Sequence, residues 1–228
     1  MQAKDSPPSP ANGPPLAPSV WPQPHGPLLS VPARSEHPEA GRFVPNDQEC
    51  RKLWDDFAMP PHIREHSEQV ALIATVLGEL ALEAGLPVDL PEVRASALLH
   101  DLAKDYTIKH GGNHALLGGA WVVEVTGNPA IAQGVAHHVF WPWEEDVRNH
   151  FLPLAIIYAD KRVKHRNIVT LDERHQDLIE RYGKTKYIRE RIEMSKQQVI
   201  TIEQELSREL NVDLHASTFD SRGLVQRT

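Results

Sequence analysis

Apolar positions recur at helical spacing along most of the chain after Pro45. Between Pro61 and Gly85, Ile63, Val70, Ile73 and Leu77 fall on one face of a helix. Val93 and Ala97 repeat the pattern in a helix that starts near Pro91, carries His100–Asp101 and runs to the break at Gly111. Ile131 and Val135 do so in one that starts at Pro129, and Ile156 and Ile157 in one that Pro153 starts and that carries Asp160. A last, highly charged segment from Lys184 to Leu210 carries Ile188, Ile192, Val199, Ile202 and Leu206 on one stripe, interrupted by Ser195. Start and stop signals bracket these runs. Asn46 with Glu49 and Thr170 with Glu173 have capping-box spacing, and Pro60–Pro61, Gly111–Asn113, Gly127–Pro129 and Gly183 punctuate the chain. No stretch alternates polar and apolar residues as a half-buried strand does. The pattern predicts an all-α bundle without internal repeats.

Composition divides the chain. The first 45 of its 228 residues hold 12 of the 19 prolines and cannot build a core. The expected organisation is a disordered Pro-rich tail over 1–45, a helical domain over 46–183, a charged helix over 184–210 and a flexible tail over 211–228. The Pro-rich tail is read as passive, with an SH3-type partner as its alternative use. Deleting Met1 to Val44 is expected to leave stability and activity nearly unchanged. The formal net charge of −7 argues against general nucleic-acid binding. A single cysteine, Cys50, excludes a disulfide framework. No apolar run approaches a membrane span and the N-terminus lacks a signal layout, so a cytoplasmic location is expected.

The thirteen histidines change the picture, because some stand on apolar faces. His66 lies between Ile63 and Val70; Val93 and Ala97 lead to His100, and Leu98 to Asp101; Ile131 and Val135 lead to His138; Ile156 and Ile157 lead to Asp160. One buried histidine is ordinarily a hydrogen-bonded core residue. Imidazoles and carboxylates turned inward from four helices suit divalent metal ions, which would compensate the buried charge of Asp101 and which that carboxylate can bridge. Ligation without thiolates fits Fe, Mn, Co, Ni or Zn.

The ordered series His66, His100–Asp101, His114, His138 and Asp160 resembles the H…HD…H…H…D series of the HD superfamily of metal-dependent phosphohydrolases, and "LLHDLAK" is similar to its central signature. The resemblance spans roughly Pro60 to Tyr182. It implies an HD-domain helical bundle around a mononuclear or dinuclear site, and six ligand residues correspond to about two metal ions. His66, His100, Asp101 and Asp160 would hold the first, and His114 and His138 the second, with Asp101 bridging. The layout is similar to the dinuclear branch that contains the symmetrical diadenosine tetraphosphate hydrolases, although "ADKRVKH" departs from those enzymes. The His137–His138 pair is similar to that of the cyclic-di-GMP branch, but "VFWPWEED" follows it in place of GYP.

The implied activity is hydrolysis of a phosphate ester or anhydride of a nucleotide-like small molecule by a metal-activated water. Asp101 and Lys104 are the expected catalytic residues. Lys104, His110, His137, Lys161 and Arg162 are the expected substrate contacts, with solvated charge as the plain alternative for the basic run. His137 lies about 100° from His138 on the same helix, beside Gly134 and Trp141, and is expected near the mouth of the site rather than on a metal. Trp141 and Trp143 could stack on a base or pack as core. The apolar stripe of the last helix either packs on its own domain or forms a homodimer seam. Two other classes compete: a di-iron oxygenase on the same fold, and a non-catalytic nucleotide-binding regulatory module.

Overall fold

A computed structural model describes residues 43–226. The Pro-rich tail expected over 1–45 falls almost wholly outside the described residues. At its end the Phe43 amide donates to Thr126 O at 3.1 Å, Val44 packs on the core and Pro45 is buried. A truncation that spares these contacts therefore stops at residue 42.

The architecture is an all-α bundle. Helix α1 spans Asp47–Asp56, α2 Pro61–Glu83, α3 Leu90–Leu99, α4 Lys104–His110, α5 His114–Thr126, α6 Pro129–His137, α7 Val147–Lys161, α8 Leu171–Tyr182 and α9 Lys186–Glu209. Both capping boxes form, at Asn46–Glu49 and at Thr170–Glu173. Asn113 and Asn128 cap α5 and α6 through their side-chain oxygens. The core is built where α2 packs on α3 and α7, α6 on α3, α5 and α7, and α9 on α7 and α8. No helix among the described residues is long and apolar enough to cross a membrane.

Four expectations are corrected. The helix carrying His100–Asp101 does not run on to Gly111: α3 stops at Leu99, and a tight turn precedes α4 at Lys104. Pro153 does not begin its helix. Asp146 caps α7, and a break at His150 (φ −131°, ψ 37°) relieves the clash and missing N–H that a proline brings. Two short antiparallel hairpins are present, β1 (Val163–Lys164) with β2 (Asn167–Ile168), and β3 (Ser217–Asp220) with β4 (Gly223–Gln226). The second replaces the flexible tail expected over 211–228. Leu214, Ser217 and Phe219 are buried, so this segment covers core that would otherwise meet water.

Helices α3, α6 and α7 approach closely at Gly134. A Cβ there would lie 2.2 Å from Ser96 Oγ and 2.4 Å from Leu152 Cδ2. Gly134→Ala is expected to cost about 1–3 kcal/mol by overpacking, measured by urea unfolding. It should also disturb His138, one turn further on.

Candidate metal centre

Five elements deliver the polar core. His66 comes from the buried face of α2, and His100 ends α3 as its C-cap, with Asp101 next in the turn. His114 is the first residue of α5, His138 caps α6, and Asp160 lies in the last turn of α7. The break after Leu99 matters here. Neighbours on a continuous helix diverge by about 100°, yet both His100 and Asp101 reach the centre.

The geometry forms two groups that share one carboxylate. Asp101 Oδ2 lies 3.4 Å from His100 Nε2 and 3.9 Å from His66 Nε2. Asp160 Oδ1 closes this group, 3.0 Å from His66 Nε2 and 3.9 Å from His100 Nε2. Asp101 Oδ1 faces the other way, 3.3 Å from His114 Nε2 and 3.6 Å from His138 Nε2. The two latter nitrogens are 3.1 Å apart.

Three imidazoles are held by main-chain carbonyls. Nδ1 of His100 donates to Ala97 O at 2.8 Å, Nδ1 of His138 to Val135 O at 2.7 Å, and Nδ1 of His66 to His165 O at 3.1 Å. Each such bond places the ring proton on Nδ1 and leaves Nε2 a lone pair directed inward. His100 Nε2 and Asp101 Oδ1 are buried without a hydrogen-bond partner among the described residues. Inward lone pairs and an orphaned carboxylate oxygen are costly unless a cation completes them. The donor set therefore fits divalent metal ions, as two overlapping groups, His66–His100–Asp101 and Asp101–His114–His138.

The electrostatics of His66, His114 and His138 agree with that role, whereas at His100 burial opposes protonation but the Asp101 carboxylate beside it outweighs burial and raises the pKa. Burial lowers the pKa values of His66 and His138, and burial together with His138 pushes His114 down to about 4, so these imidazoles are neutral at neutral pH. Burial opposes ionisation of Asp101, but Lys104 and His100 outweigh it and hold the carboxyl well below its usual range. Burial likewise opposes ionisation of Asp160, and Lys161, His66 and Arg174 outweigh it.

Two chambers adjoin the centre. The smaller, about 110 Å³, lies over His66, Asp101 and Lys104 and is bounded by His62, His165, Arg174 and Arg181. The larger, about 350 Å³, opens beside His114, His138 and Asp160 and has an apolar wall of Phe140, Leu178, Ile188 and Ile192. Lys104, Arg174 and Tyr182 line both.

The expected substrate contacts divide sharply. Lys104 Nζ donates to Asp101 Oδ2 at 2.6 Å and Lys161 Nζ to Asp160 Oδ2 at 2.7 Å, and both border the larger chamber. Arg162 does not reach it. Its fully buried guanidinium donates to Tyr158 Oη, Val169 O at 2.8 Å, Leu214 O at 3.5 Å and Ser217 O at 3.1 Å, because one position beyond Lys161 the helix turns its side chain into the core. His110 is exposed at the end of α4 with its ring on Tyr106, and lines neither chamber. His137 stands against Trp141 and Trp143, at ring distances of 5.4 and 5.1 Å, and lines neither chamber. Trp141 is core and Trp143 is exposed; neither borders a chamber. Part of the α9 stripe is used within the chain: Val199, Ile202 and Leu206 are buried, while Ile188 and Ile192 wall the larger chamber. Cys50 is buried and its thiol is pushed up to about 12 by burial, away from thiolate chemistry.

Sequence reasoning missed Arg174 and the carbonyl of His165. Arg174 and Asp177 are charged residues on the inner face of α8, between Leu171 and Leu178, and that misplacement was the available signal. Nothing local marks the main chain of an exposed histidine.

The model of the family described as HD domain matches residues 63–193, more than half of the chain. Ribonuclease Y from three strains of Clostridium perfringens is 34% identical over 77 residues, which are 34% of this chain and 14% of the relative. The chain thus matches about a seventh of the length of these relatives. No solved structure matches.

Proposed function

The chain belongs to the HD-domain family of metal-dependent phosphohydrolases, and from that premise we propose that it hydrolyses a phosphate ester or anhydride of a compact, nucleotide-sized substrate. The carrying observation is the pair of orphaned buried atoms, His100 Nε2 and Asp101 Oδ1, inside a ring of inward lone pairs. His66, His100, Asp101 and Asp160 would hold one divalent ion, and Asp101, His114 and His138 a second, drawn from Fe, Mn, Co, Ni or Zn. Such ions supply a water that ionises near neutral pH and offset charge on the phosphoryl oxygens. The chain's own part is positioning. Asp101 would be the shared ligand, and Lys104 and Lys161 bring positive charge to the rim where phosphoryl oxygens would lie. Ribonuclease Y acts, by its name, on RNA; here the net charge of −7 and the 350 Å³ chamber favour a small substrate over a polymer.

The test is a phosphate-ester screen on protein loaded separately with Mn, Fe, Co, Ni and Zn, with metal content measured on the same samples. About two ions per chain and turnover of at least one ester are expected. Protein that stays empty after reconstitution would refute the reading. Oxygen uptake by an iron-loaded sample would select the oxygenase, and metal without turnover the regulatory module.

The adjacent histidines give a sharper prediction. His138→Ala should lower metal content toward about one ion per chain. His137→Ala should leave it unchanged, since that ring packs on tryptophans. Metal analysis of the two purified variants decides, and loss in His137→Ala alone would reverse the ligand assignment.

A further inference from the structure

Arg174 has the credentials of a ligand-binding group and no place in the metal centre. It is 7% exposed, yet its Nε is buried without a hydrogen-bond partner among the described residues. Nη1 donates to Asp177 Oδ2 at 2.9 Å, and Nη2 stands 3.9 Å from Asp160 Oδ1. A buried guanidinium with a spare N–H is costly unless something accepts from it.

Its surroundings carry more positive than negative charge. Asp177 alone serves three cations: Arg174, Arg181 at 3.5 Å and Lys164 at 3.5 Å. Lys104 and Lys161 balance Asp101 and Asp160, and those carboxylates also face the metal positions. An ion there would add positive charge to the same rim. The surplus calls for an anion, and one of charge near −2 suits it better than a monoanionic diester. Arg174 lies where the two chambers meet, so a group bound to it is held beside Asp101 and Asp160.

The larger chamber adds a second property. Beyond Arg174 and the polar residues of the centre, its lining includes the apolar Val139, Phe140, Leu178, Ile188 and Ile192, together with Tyr182, Arg191 and Ser195. Such a wall holds a compact apolar or aromatic group and offers little to a polyol.

We infer that Arg174, held by Asp177, binds the phosphoryl group of a phosphate monoester, and that the apolar chamber walled by α9 takes the alcohol part, which is compact and largely apolar or aromatic. This rests on the metal-dependent reading above and names the class of substrate within it.

The experiment uses the full chain loaded with its best metal, and two non-hydrolysable dianions, phenylphosphonate and methylphosphonate, with binding read by calorimetry. Wild-type protein should bind the phenyl compound about tenfold more tightly, from burial of one apolar ring. Arg174→Met should weaken both ligands by about ten- to a hundredfold, as expected for a hydrogen bond to a charged group. Its metal content should not change, and Arg174→Lys should recover part of the loss. Ile192→Gln should abolish the phenyl preference and leave methylphosphonate binding as it was. Wild-type affinity in Arg174→Met, with metal content intact, would overturn the role of Arg174. An unchanged phenyl preference in Ile192→Gln would overturn the chamber assignment. If Arg174→Met misfolds by circular dichroism, the lysine variant decides alone: it keeps the charge but loses the fork, and undiminished affinity there overturns the proposal. Metal content, measured first on wild type, reports separately on the parent reading.

Discussion

Asp101→Ala should strip most of the bound metal and lower ester turnover by about a thousandfold or more. Among the described residues, Asp101 alone places one oxygen in each half of the centre: Oδ2 toward His66 and His100, Oδ1 toward His114 and His138. Its removal takes a ligand from both halves and leaves Lys104, which pairs with it at 2.6 Å, facing an uncompensated cluster of imidazoles. Metal ions contribute several kcal/mol of charge stabilisation to such reactions, and each 1.36 kcal/mol is tenfold in rate. Asp101→Asn preserves the volume but not the charge and should behave similarly. Elemental analysis of purified protein, beside a circular-dichroism check of the fold, measures the effect. Full metal content in Asp101→Ala would show that the shared carboxylate is not what assembles the centre.

Arg162→Met should destabilise the fold by about 3–5 kcal/mol while sparing metal content per folded molecule. The guanidinium satisfies three main-chain carbonyls, at Val169, Leu214 and Ser217, and pairs with Tyr158, whose hydroxyl in turn donates to Glu203 at 3.1 Å. Methionine fills much of the same volume but leaves these acceptors buried and bare. Urea unfolding of the variant measures the loss. A change below about 1 kcal/mol would mean that the C-terminal hairpin is held by packing of Leu214 and Phe219 alone.

The contrast between Lys161 and Arg162 shows where the sequence stopped being legible. A basic run reads as one surface, but on the last turn of a helix adjacent side chains separate: Lys161 enters the chamber, Arg162 the core, and Lys164 pairs with Asp177. The inward-facing cluster, by contrast, was legible. His66, His100, His138 and Asp160 occupy positions whose neighbours at helical spacing are apolar, and burial follows from that alone. The helix starts at Asn46 and Thr170 were legible for the same local reason, since a cap and its partner lie within three residues, whereas the start at Asp146 was hidden behind Pro153. The turn after Leu99 was not, because no glycine or proline marks it. Nor were β1 and β2, whose two-residue strands are too short to show a period. Arg174 escaped because its meaning depends on chambers formed by distant segments.

The three carbonyls that orient the imidazoles differ in one respect with consequences for how the centre comes into being. Ala97 and Val135 lie three residues before the histidines they hold, so those contacts form with their own helix ends. His165 is 99 residues from His66 and presents its carbonyl from a left-handed turn (φ 56°) between β1 and β2. Closing so long a loop comes late in folding. The His100 and His138 rings are thus oriented by their own helix ends, and the His66 ring only by a segment that returns from far along the chain. On the metal-dependent reading, full metal loading is therefore expected only in chains that have completed the fold.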